Sequence, residues 1–162
     1  MHDRLKIVFN RDAAMAKNDP LQLDSMLCFA VYAAGHAFTR FYKPRLDAIG
    51  LTYPQYLVFM VLWEADGITV KGLGDKLFLD SGTITPLVKR LEARGLLRRQ
   101  RDDEDERLVR IFLTEEGRAL RAKALSVPLA VGAALGGGPE AGATLREGLH
   151  RLRERLDASL EL

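Results

Sequence analysis

A predicted helix between Asp80 and Gly95, with a clear boundary at each end, constrains the fold of this chain more than any other feature. Apolar residues recur in it at positions i, i+3, i+4 and i+7, which predicts an amphipathic helix with one buried stripe. The stripe consists of Ile84, Leu87, Val88 and Leu91. Asp80 or Ser81 is the expected N-cap, and Gly95 is the expected end of the helix. The sequence therefore predicts a helix that packs on a core with one face and leaves the other in solvent.

This helix belongs to a longer pattern of helix and strand signals. A short strand-like segment and a short helix over about residues 69–78 precede it. Strand-like segments follow at 97–101 and 108–113, and the acidic turn "DDEDER" joins them into a β-hairpin. Helix, turn, helix and hairpin in this order predict a winged helix-turn-helix over about residues 66–113, within a mainly α-helical fold.

The face opposite the stripe carries small, hydroxylated and basic side chains, which suit a DNA major groove. The candidate DNA-binding residues on and beside that face are Ser81, Thr83, Thr85, Pro86, Lys89 and Arg90. Residues 71–101 contain eight basic and three acidic side chains, and this local balance of +5 favours phosphate binding. The helix by itself is also compatible with an ordinary polar surface helix.

The hairpin turn holds two further candidate DNA-binding residues, Asp105 and Arg107. Their spacing places both side chains on one side of an extended strand. A carboxylate there could hold the guanidinium in one orientation for a narrow minor groove. The alternative is a solvated acidic turn that prevents edge-to-edge aggregation of the hairpin.

A long first helix is predicted before this unit. Asp24 is the expected N-cap, the helix should run to about residue 49, and Gly50 should stop it. Pro44 lies inside this stretch and should bend or interrupt the helix near Tyr42.

Capping signals predict the remaining helices. Thr52 and Gln55 have the spacing of a capping box before a largely apolar helix, which we expect at the centre of the core. Thr114 is the expected N-cap of a helix after the hairpin. Pro128 and the stretch "GGGPEAG" should break the pattern before a final amphipathic helix over about residues 139–160.

The composition narrows the class of protein. One cysteine among 162 residues excludes an internal disulfide and a cysteine-rich metal site, and we expect neither a metal nor a cofactor. No apolar run approaches the ~20 residues that span a bilayer, and the N-terminus lacks the pattern of a secretory signal, so a cytoplasmic location is expected. Residues 1–20 are expected to form a loose arm before a single domain over 21–162, and Met15 could be the natural start.

The single cysteine, Cys28, falls in the first turn of the first predicted helix. Backbone N–H groups and the positive end of the helix dipole stabilise a thiolate there, although a lone cysteine can also be a small buried hydrophobe. Tyr32 lies one turn on and could approach Cys28 within the chain. Tyr42 lies fourteen residues away, about 21 Å along a continuous helix, so it could touch only the Cys28 of an antiparallel partner chain.

Two groups of motifs resemble a known family. The segment "VKGLGDKLFLDSGTITPLVKRLEARGLLRRQRDDEDERLVRIFLTEEG", with its "TPLVKRLE" helix and "DxR" hairpin, is similar to the MarR family of bacterial winged-helix repressors. Upstream, "LCFAVY", "FYKP" and "LTYPQYLVFMVLWE" resemble its organic hydroperoxide resistance branch, the OhrR regulators. The resemblance covers about residues 23–120.

The resemblance implies a function. It implies a homodimer joined through terminal helices at 24–49 and 115–160, which binds a pseudo-palindrome of double-stranded promoter DNA. It implies that Cys28 is oxidised by an organic hydroperoxide and that Tyr42 and Tyr53 of the other protomer hydrogen-bond its thiolate. Because the chain has no second cysteine, a small cellular thiol is expected to capture the oxidised sulfur.

Two rival interpretations are open at this point. The first is a MarR-type repressor released by a small aromatic ligand, in which Cys28 is structural. The second is a thiol peroxidase with Cys28 as its nucleophile, but that class leaves the winged hairpin unexplained and places no arginine beside the cysteine in sequence. We therefore expect a regulator and not an enzyme.

Overall fold

The computed structural model describes residues 21–136 and 142–160, which are mainly helical. The chain divides after Phe41 into two compact units. The helices are α1 (Leu27–Asp47), α2 (Tyr53–Glu64), α3 (Val70–Leu77), α4 (Ser81–Ala93), α5 (Glu115–Ala124), α6 (Ser126–Ala134) and α7 (Ala143–Ala158). The strands are β1 (Leu97–Arg101) and β2 (Val109–Leu113). The helices α3 and α4 with the β1–β2 hairpin confirm the predicted winged helix-turn-helix.

The two strands form the antiparallel wing. Leu97 pairs with Leu113 at its base and Arg101 pairs with Val109 near its tip. The strand expected before α3 is reduced to one isolated bridge, in which Thr69 pairs with Arg110. Each helix within the described ranges is too short or too polar to cross a bilayer.

The core lies around α2, as its apolar composition predicted. Six of its residues are buried: Gln55, Tyr56, Val58, Phe59, Val61 and Leu62. The predicted stripe of α4 is buried against this core, and its residues are Ile84, Leu87, Val88 and Leu91. The face of α4 that remains in solvent is therefore the face that the sequence assigned to DNA.

The predicted capping signals are confirmed at three helices. Asp80 caps α4, since its Oδ1 accepts a hydrogen bond from the N–H of Thr83 at 2.8 Å. Thr114 caps α5 in the same way, with 3.1 Å to the N–H of Gly117. At α2, Oε1 of Gln55 accepts from the N–H of Thr52 at 3.0 Å. Each bond satisfies a backbone group that a helix terminus leaves unpaired.

The prediction that Asp24 caps the first helix is wrong. Asp24 lies in a 3-10 turn over Leu23–Ser25, and α1 begins only at Leu27. The turn closes on Gln22, whose carbonyl accepts from the backbone N–H and the hydroxyl of Ser25 at 3.0 and 2.7 Å. Cys28 still falls in the first turn of α1, so the expectation for the cysteine does not depend on that cap.

Two prolines interrupt the helices less than expected. Pro44 lies within the unbroken α1, where the buried Leu46 holds the last turn in the core and offsets the missing hydrogen bond. Pro128 lies in the first turn of α6, where a backbone N–H has no helical partner in any case. The final helix begins at Ala143, and the predicted start at Pro139 lies outside the described residues.

Candidate nucleic-acid interface and reactive cysteine

The solvent face of α4 presents five of the six predicted DNA-binding side chains of that helix. Ser81, Thr83, Pro86, Lys89 and Arg90 are exposed, and Thr85 is partly buried. Hydroxyl, ammonium and guanidinium groups can donate hydrogen bonds to phosphates or to base edges in a major groove. The helix can therefore serve as a recognition helix, and we use that name for α4 below.

A cleft of about 430 Å³ joins the recognition helix to the wing. Ser81 and Thr85 line one side of it, Arg107 lies on the wing side, and Lys71 of α3 is also in the lining. The fold thus brings predicted residues from two separate elements to one concave surface, whose charged lining also includes Asp75, Asp80 and Arg99. Such a surface suits the convex, negatively charged edge of a duplex.

Several basic residues of this region are engaged within the chain, among them Lys76, which pairs with Glu64, and Arg99. Arg99 of β1 donates to the Glu92 carboxylate, with Nε 2.7 Å from Oε2 and its backbone N–H 3.0 Å from Oε1. Desolvation acts to raise the pKa of Glu92, but the hydrogen bonds from Arg99 prevail and hold that pKa below its usual value. The balance of +5 already counts Arg99 and Glu92 as a neutral pair, whereas the pairing of Lys76 with Glu64, which lies outside residues 71–101, lowers the cationic charge available to phosphate.

Asp105 and Arg107 lie close together at the wing tip, but in a turn and not on the extended strand that the sequence predicted, because β2 begins only at Val109. The N–H of Arg107 donates to Oδ1 of Asp105 at 3.0 Å, and Nε lies 3.6 Å from the same oxygen. The Arg107 side chain is 94% exposed. It is therefore tethered at its base and projects into solvent at the tip.

Asp102 has a structural role that the sequence did not reveal. The sequence predicts a solvated acid of the turn at this position, yet Asp102 is only 8% exposed. Its Oδ1 accepts from the N–H groups of Glu104 and Asp105 at 3.0 Å each, and its Oδ2 accepts from Arg110. Arg110 is the one basic residue in an otherwise apolar strand, a signal that could have indicated a buried partner.

Arg110 extends this network to the body of the winged unit. Its Nη1 donates to the carbonyl of Gly67 at 3.0 Å. The hydrogen bonds to Arg110 and to the two backbone N–H groups hold the pKa of Asp102 below its usual value. The carboxylate therefore stays charged and fixes the turn that carries Asp105.

Cys28 is exposed at the start of α1. The same helix carries a group of contacting rings, since the ring of Tyr32 lies 6.2 Å from that of Phe29 and 4.3 Å from that of His36, centroid to centroid. It also carries exposed apolar side chains, namely Leu27, Val31, Tyr32 and Phe38. The thiol is accessible to a reagent, which is the opposite of a buried structural cysteine.

Tyr42 and Tyr53 form a pair of half-buried phenols. Their ring centroids are 4.9 Å apart, and the ring of Tyr56 lies 6.2 Å from that of Tyr42. Burial raises the pKa of Tyr42 and of Tyr53, and burial together with the neighbouring phenols raises the pKa of Tyr56 to about 12. These three residues, called the tyrosine cluster below, therefore stay protonated at neutral pH and can donate hydrogen bonds to an anion.

The described residues contain no group of three or more His, Cys, Asp and Glu side chains arranged to hold a metal ion.

Comparison with known proteins adds a family and several relatives. A model of the transcriptional regulator SarA/Rot family matches residues 40–123. The HTH-type transcriptional regulator TtmR of Methylorubrum extorquens is 54% identical over 142 residues, which are 88% of this chain and 73% of that protein. The organic hydroperoxide resistance transcriptional regulator of Bacillus subtilis is 47% identical over 131 residues, 81% of this chain and 87% of that one.

The fold is also similar to solved structures. The structure of reduced AbfR bound to DNA superimposes with a TM-score of 0.70 at 31% sequence identity, over 86% of this chain and 96% of that chain. AbfR comes from Staphylococcus epidermidis. The matched region in each comparison includes the recognition helix and the wing.

Proposed function

We propose that this chain, which belongs to the MarR-like, SarA/Rot-type family of winged-helix transcriptional regulators, is a repressor that an organic hydroperoxide releases from DNA. It is a DNA-binding regulator, as its relatives are, and not an enzyme. Under this proposal the reduced protein binds promoter DNA in the cytoplasm, and oxidation of Cys28 is the signal.

The observation that carries the proposal is the exposed position of Cys28 in the first turn of α1. A peroxide can react only with a cysteine that it can reach, and the thiolate is the form that reacts. The regulator from B. subtilis supports the chemical class of the signal, because its name assigns it to organic hydroperoxide resistance. The apolar side chains beside Cys28 favour peroxides with an alkyl or lipid group over hydrogen peroxide.

The proposed chemical step oxidises sulfur and reduces the peroxide. The Cys28 thiolate attacks the terminal oxygen of ROOH, an S–O bond forms, the O–O bond breaks, and the alcohol ROH leaves after taking up a proton. The sulfenic acid then condenses with a small cellular thiol to give a mixed disulfide and water. No second cysteine of the chain can compete for this step.

The proposed sensor is shared between two protomers. Tyr42 and Tyr53 of one chain would donate their phenol protons to the Cys28 thiolate of the other, and Tyr32 would lie beside its own Cys28. Neutral phenols support this role, because the raised pKa values keep a proton on each oxygen. Oxidation removes the negative sulfur that these donors bind and so changes the contact between protomers.

Dimerisation through the terminal helices explains the apolar side chains that one chain leaves exposed. Leu145, Leu149 and Leu156 lie on α7 at helical spacing, and each is at least 41% exposed. A two-fold dimer would place two recognition helices in successive major grooves of a pseudo-palindrome, with the Arg107 side chains in the flanking minor grooves. A small change in the angle between protomers would then move the two recognition helices out of register with the two major grooves.

One observation favours the alternative of a small aromatic ligand. A cleft of about 340 Å³ beside Tyr56 is lined by Met60, Trp63 and Pro128, with Arg121 and Glu64 as its charged residues. An aromatic acid could stack in such a cleft and release the DNA without any change at Cys28.

The test compares reduced wild-type protein and Cys28→Ser on the DNA upstream of the chain's own gene, before and after one equivalent of an alkyl hydroperoxide. We expect both to bind, and only the wild type to be released. If both remain bound after peroxide, the redox proposal is wrong and the ligand-released repressor becomes the better account. If both are released, Cys28 is not the sensor.

A further inference from the structure

We propose that Arg94 couples the tyrosine cluster to the recognition helix, so that it transmits oxidation of Cys28 to the DNA-binding surface. Arg94 is the C-cap residue of α4. This inference rests on the proposed redox function and names a positioning residue for it. Its guanidinium makes two hydrogen bonds outside its own helix.

The guanidinium of Arg94 binds the turn between α1 and α2 at Gly50 and the first turn of α2 at Gln55. Its Nη2 donates to the carbonyl of Gly50 at 2.8 Å, and its Nη1 donates to Oε1 of Gln55 at 3.4 Å. Gly50 has a φ of 69°, a left-handed conformation that a glycine adopts without strain. The shape of this turn and the end of the recognition helix are therefore held by one side chain.

The same turn connects the two tyrosines of the proposed sensor. Tyr42 lies on α1 before the turn, and Tyr53 is the first residue of α2 after it. Oε1 of the buried Gln55 also accepts from the N–H of Thr52 at 3.0 Å, so one atom serves both the start of α2 and Arg94. A shift of the tyrosine pair would move the turn, and with it both acceptors of Arg94.

The chemistry of arginine suits this role better than that of lysine. A planar guanidinium offers several donors in a fixed fork, so it can bind two acceptors at once and in one orientation. Its positive charge also complements the carbonyls that follow the end of α1. Such bonds weaken steeply with distance and angle, so a shift of about an ångström is enough to break one of them.

A direct contact of Arg94 with DNA phosphate is the main competing role, since the residue is exposed. A phosphate contact would strengthen binding equally in the reduced and the oxidised protein. A coupling residue instead changes the ratio of the two affinities, because it links two equilibria. The ratio therefore separates the two roles.

The experiment measures the affinity of wild type, Arg94→Ala and Arg94→Lys for the same operator DNA, reduced and after one equivalent of alkyl hydroperoxide, at several salt concentrations. We expect oxidation to weaken wild-type binding by about tenfold or more, within the usual range of allosteric coupling. We expect less than about a threefold effect in Arg94→Ala and a reduced effect in Arg94→Lys, which keeps the charge but not the fork. Oxidation of Cys28, followed by mass spectrometry, should proceed at the wild-type rate in both variants.

Three outcomes would overturn the inference. If both variants are released as fully as wild type, Arg94 transmits nothing. If Arg94→Ala weakens both redox states equally and lowers the salt dependence while Arg94→Lys restores it, Arg94 is a phosphate contact. If wild type itself stays bound after Cys28 is oxidised, the proposed function fails, and the coupling fails with it.

Discussion

The buried carboxylate of Asp102 bonds the guanidinium of Arg110 across the wing, while its other oxygen accepts two backbone N–H groups of the tip. Asp102 thus joins the turn that carries Asp105 to the strand that Arg110 ties to Gly67. The buried, charged Asp102 therefore fixes the conformation of the wing tip, although the sequence of the turn is that of a solvated acidic loop. The shape of the tip determines where Arg107 points.

We predict that Asp102→Ala weakens operator binding through Arg107. Loss of the carboxylate frees the tip, so Arg107 can no longer be held ready for the minor groove, and the affinity should fall by about tenfold, as for one lost arginine contact. Arg107→Ala should cost about as much. The double variant should then be no weaker than Arg107→Ala alone, because both changes remove the same contact. Additive losses in a binding titration would show that Asp102 acts elsewhere.

The pKa of Asp102 gives a second test of this network. Because that pKa lies below the usual 3.8 when the protein is folded, chiefly through the hydrogen bond from Arg110, the charged carboxylate stabilises the fold above that pH. The stabilisation is lost as the pH falls through the lower folded-state pKa. The free energy of unfolding should therefore decrease more steeply below about pH 4 in wild type than in Asp102→Asn. Equal slopes in denaturant titrations at each pH would contradict this.

Phenol donors should set the reactivity of Cys28. Tyr42→Phe and Tyr53→Phe each remove one proposed hydrogen bond to the thiolate, which is worth roughly 1.5–3 kcal/mol for a charged acceptor, so each should slow oxidation by about tenfold or more. Tyr56→Phe is the matched control, since it removes a buried phenol of the same cluster that is not proposed to bind the thiolate. Stopped-flow rates with an alkyl hydroperoxide measure the effect. Similar rates in all three variants would remove the tyrosines from the sensor.

Mixed dimers should show that the tyrosines act across the protomer boundary. A dimer of one Cys28→Ser chain and one Tyr42→Phe/Tyr53→Phe chain contains a single thiol, and the intact tyrosines belong to the other protomer. If the phenols act in trans, this thiol should react at the wild-type rate. If they act within one chain, it should react as slowly as in the Tyr42→Phe/Tyr53→Phe homodimer. Differently tagged, co-purified chains allow the measurement.

Gly74 of α3 packs against the turn before the recognition helix, and this packing should make position 74 intolerant of a side chain. A Cβ at Gly74 would lie 2.8 Å from the carbonyl oxygen of Leu79, so Gly74→Ala should destabilise the protein by about 1–3 kcal/mol. Gly148→Ala is the matched control, because no atom lies within 4 Å of a Cβ there and alanine favours a helix by about 1 kcal/mol. Chemical denaturation should therefore give opposite signs. A stable Gly74→Ala would show that the turn can move.

Local patterns predicted those parts of the structure that local interactions determine. The stripe of α4 follows from helical periodicity, and Asp80, Thr114 and Gln55 act within a few residues of their own position. The neighbouring side chains Asp105 and Arg107 belong to the same class, because their contact spans two residues.

The remaining features depend on contacts between distant segments. Asp102 is buried only because the hairpin register brings Arg110 to it, and Arg94 reaches Gly50 across 44 positions of the chain. Asp24 does not cap α1 because it lies in a competing turn that closes on Gln22. The preference of aspartate for N-cap positions takes no account of such a turn. The resemblance to the OhrR regulators implied the sensor roles of Cys28, Tyr42 and Tyr53. That these three residues act across two chains stays a prediction.

The most direct test of the account follows Cys28 and the DNA in one sample. Reduced protein bound to fluorescent operator is titrated with an alkyl hydroperoxide, and each point is divided between an anisotropy reading and intact mass spectrometry. The account predicts that the bound fraction falls in proportion to the fraction of chains that have gained one oxygen atom or a small thiol at Cys28. DNA that stays bound when every Cys28 is oxidised, or that leaves while Cys28 is still reduced, would contradict it.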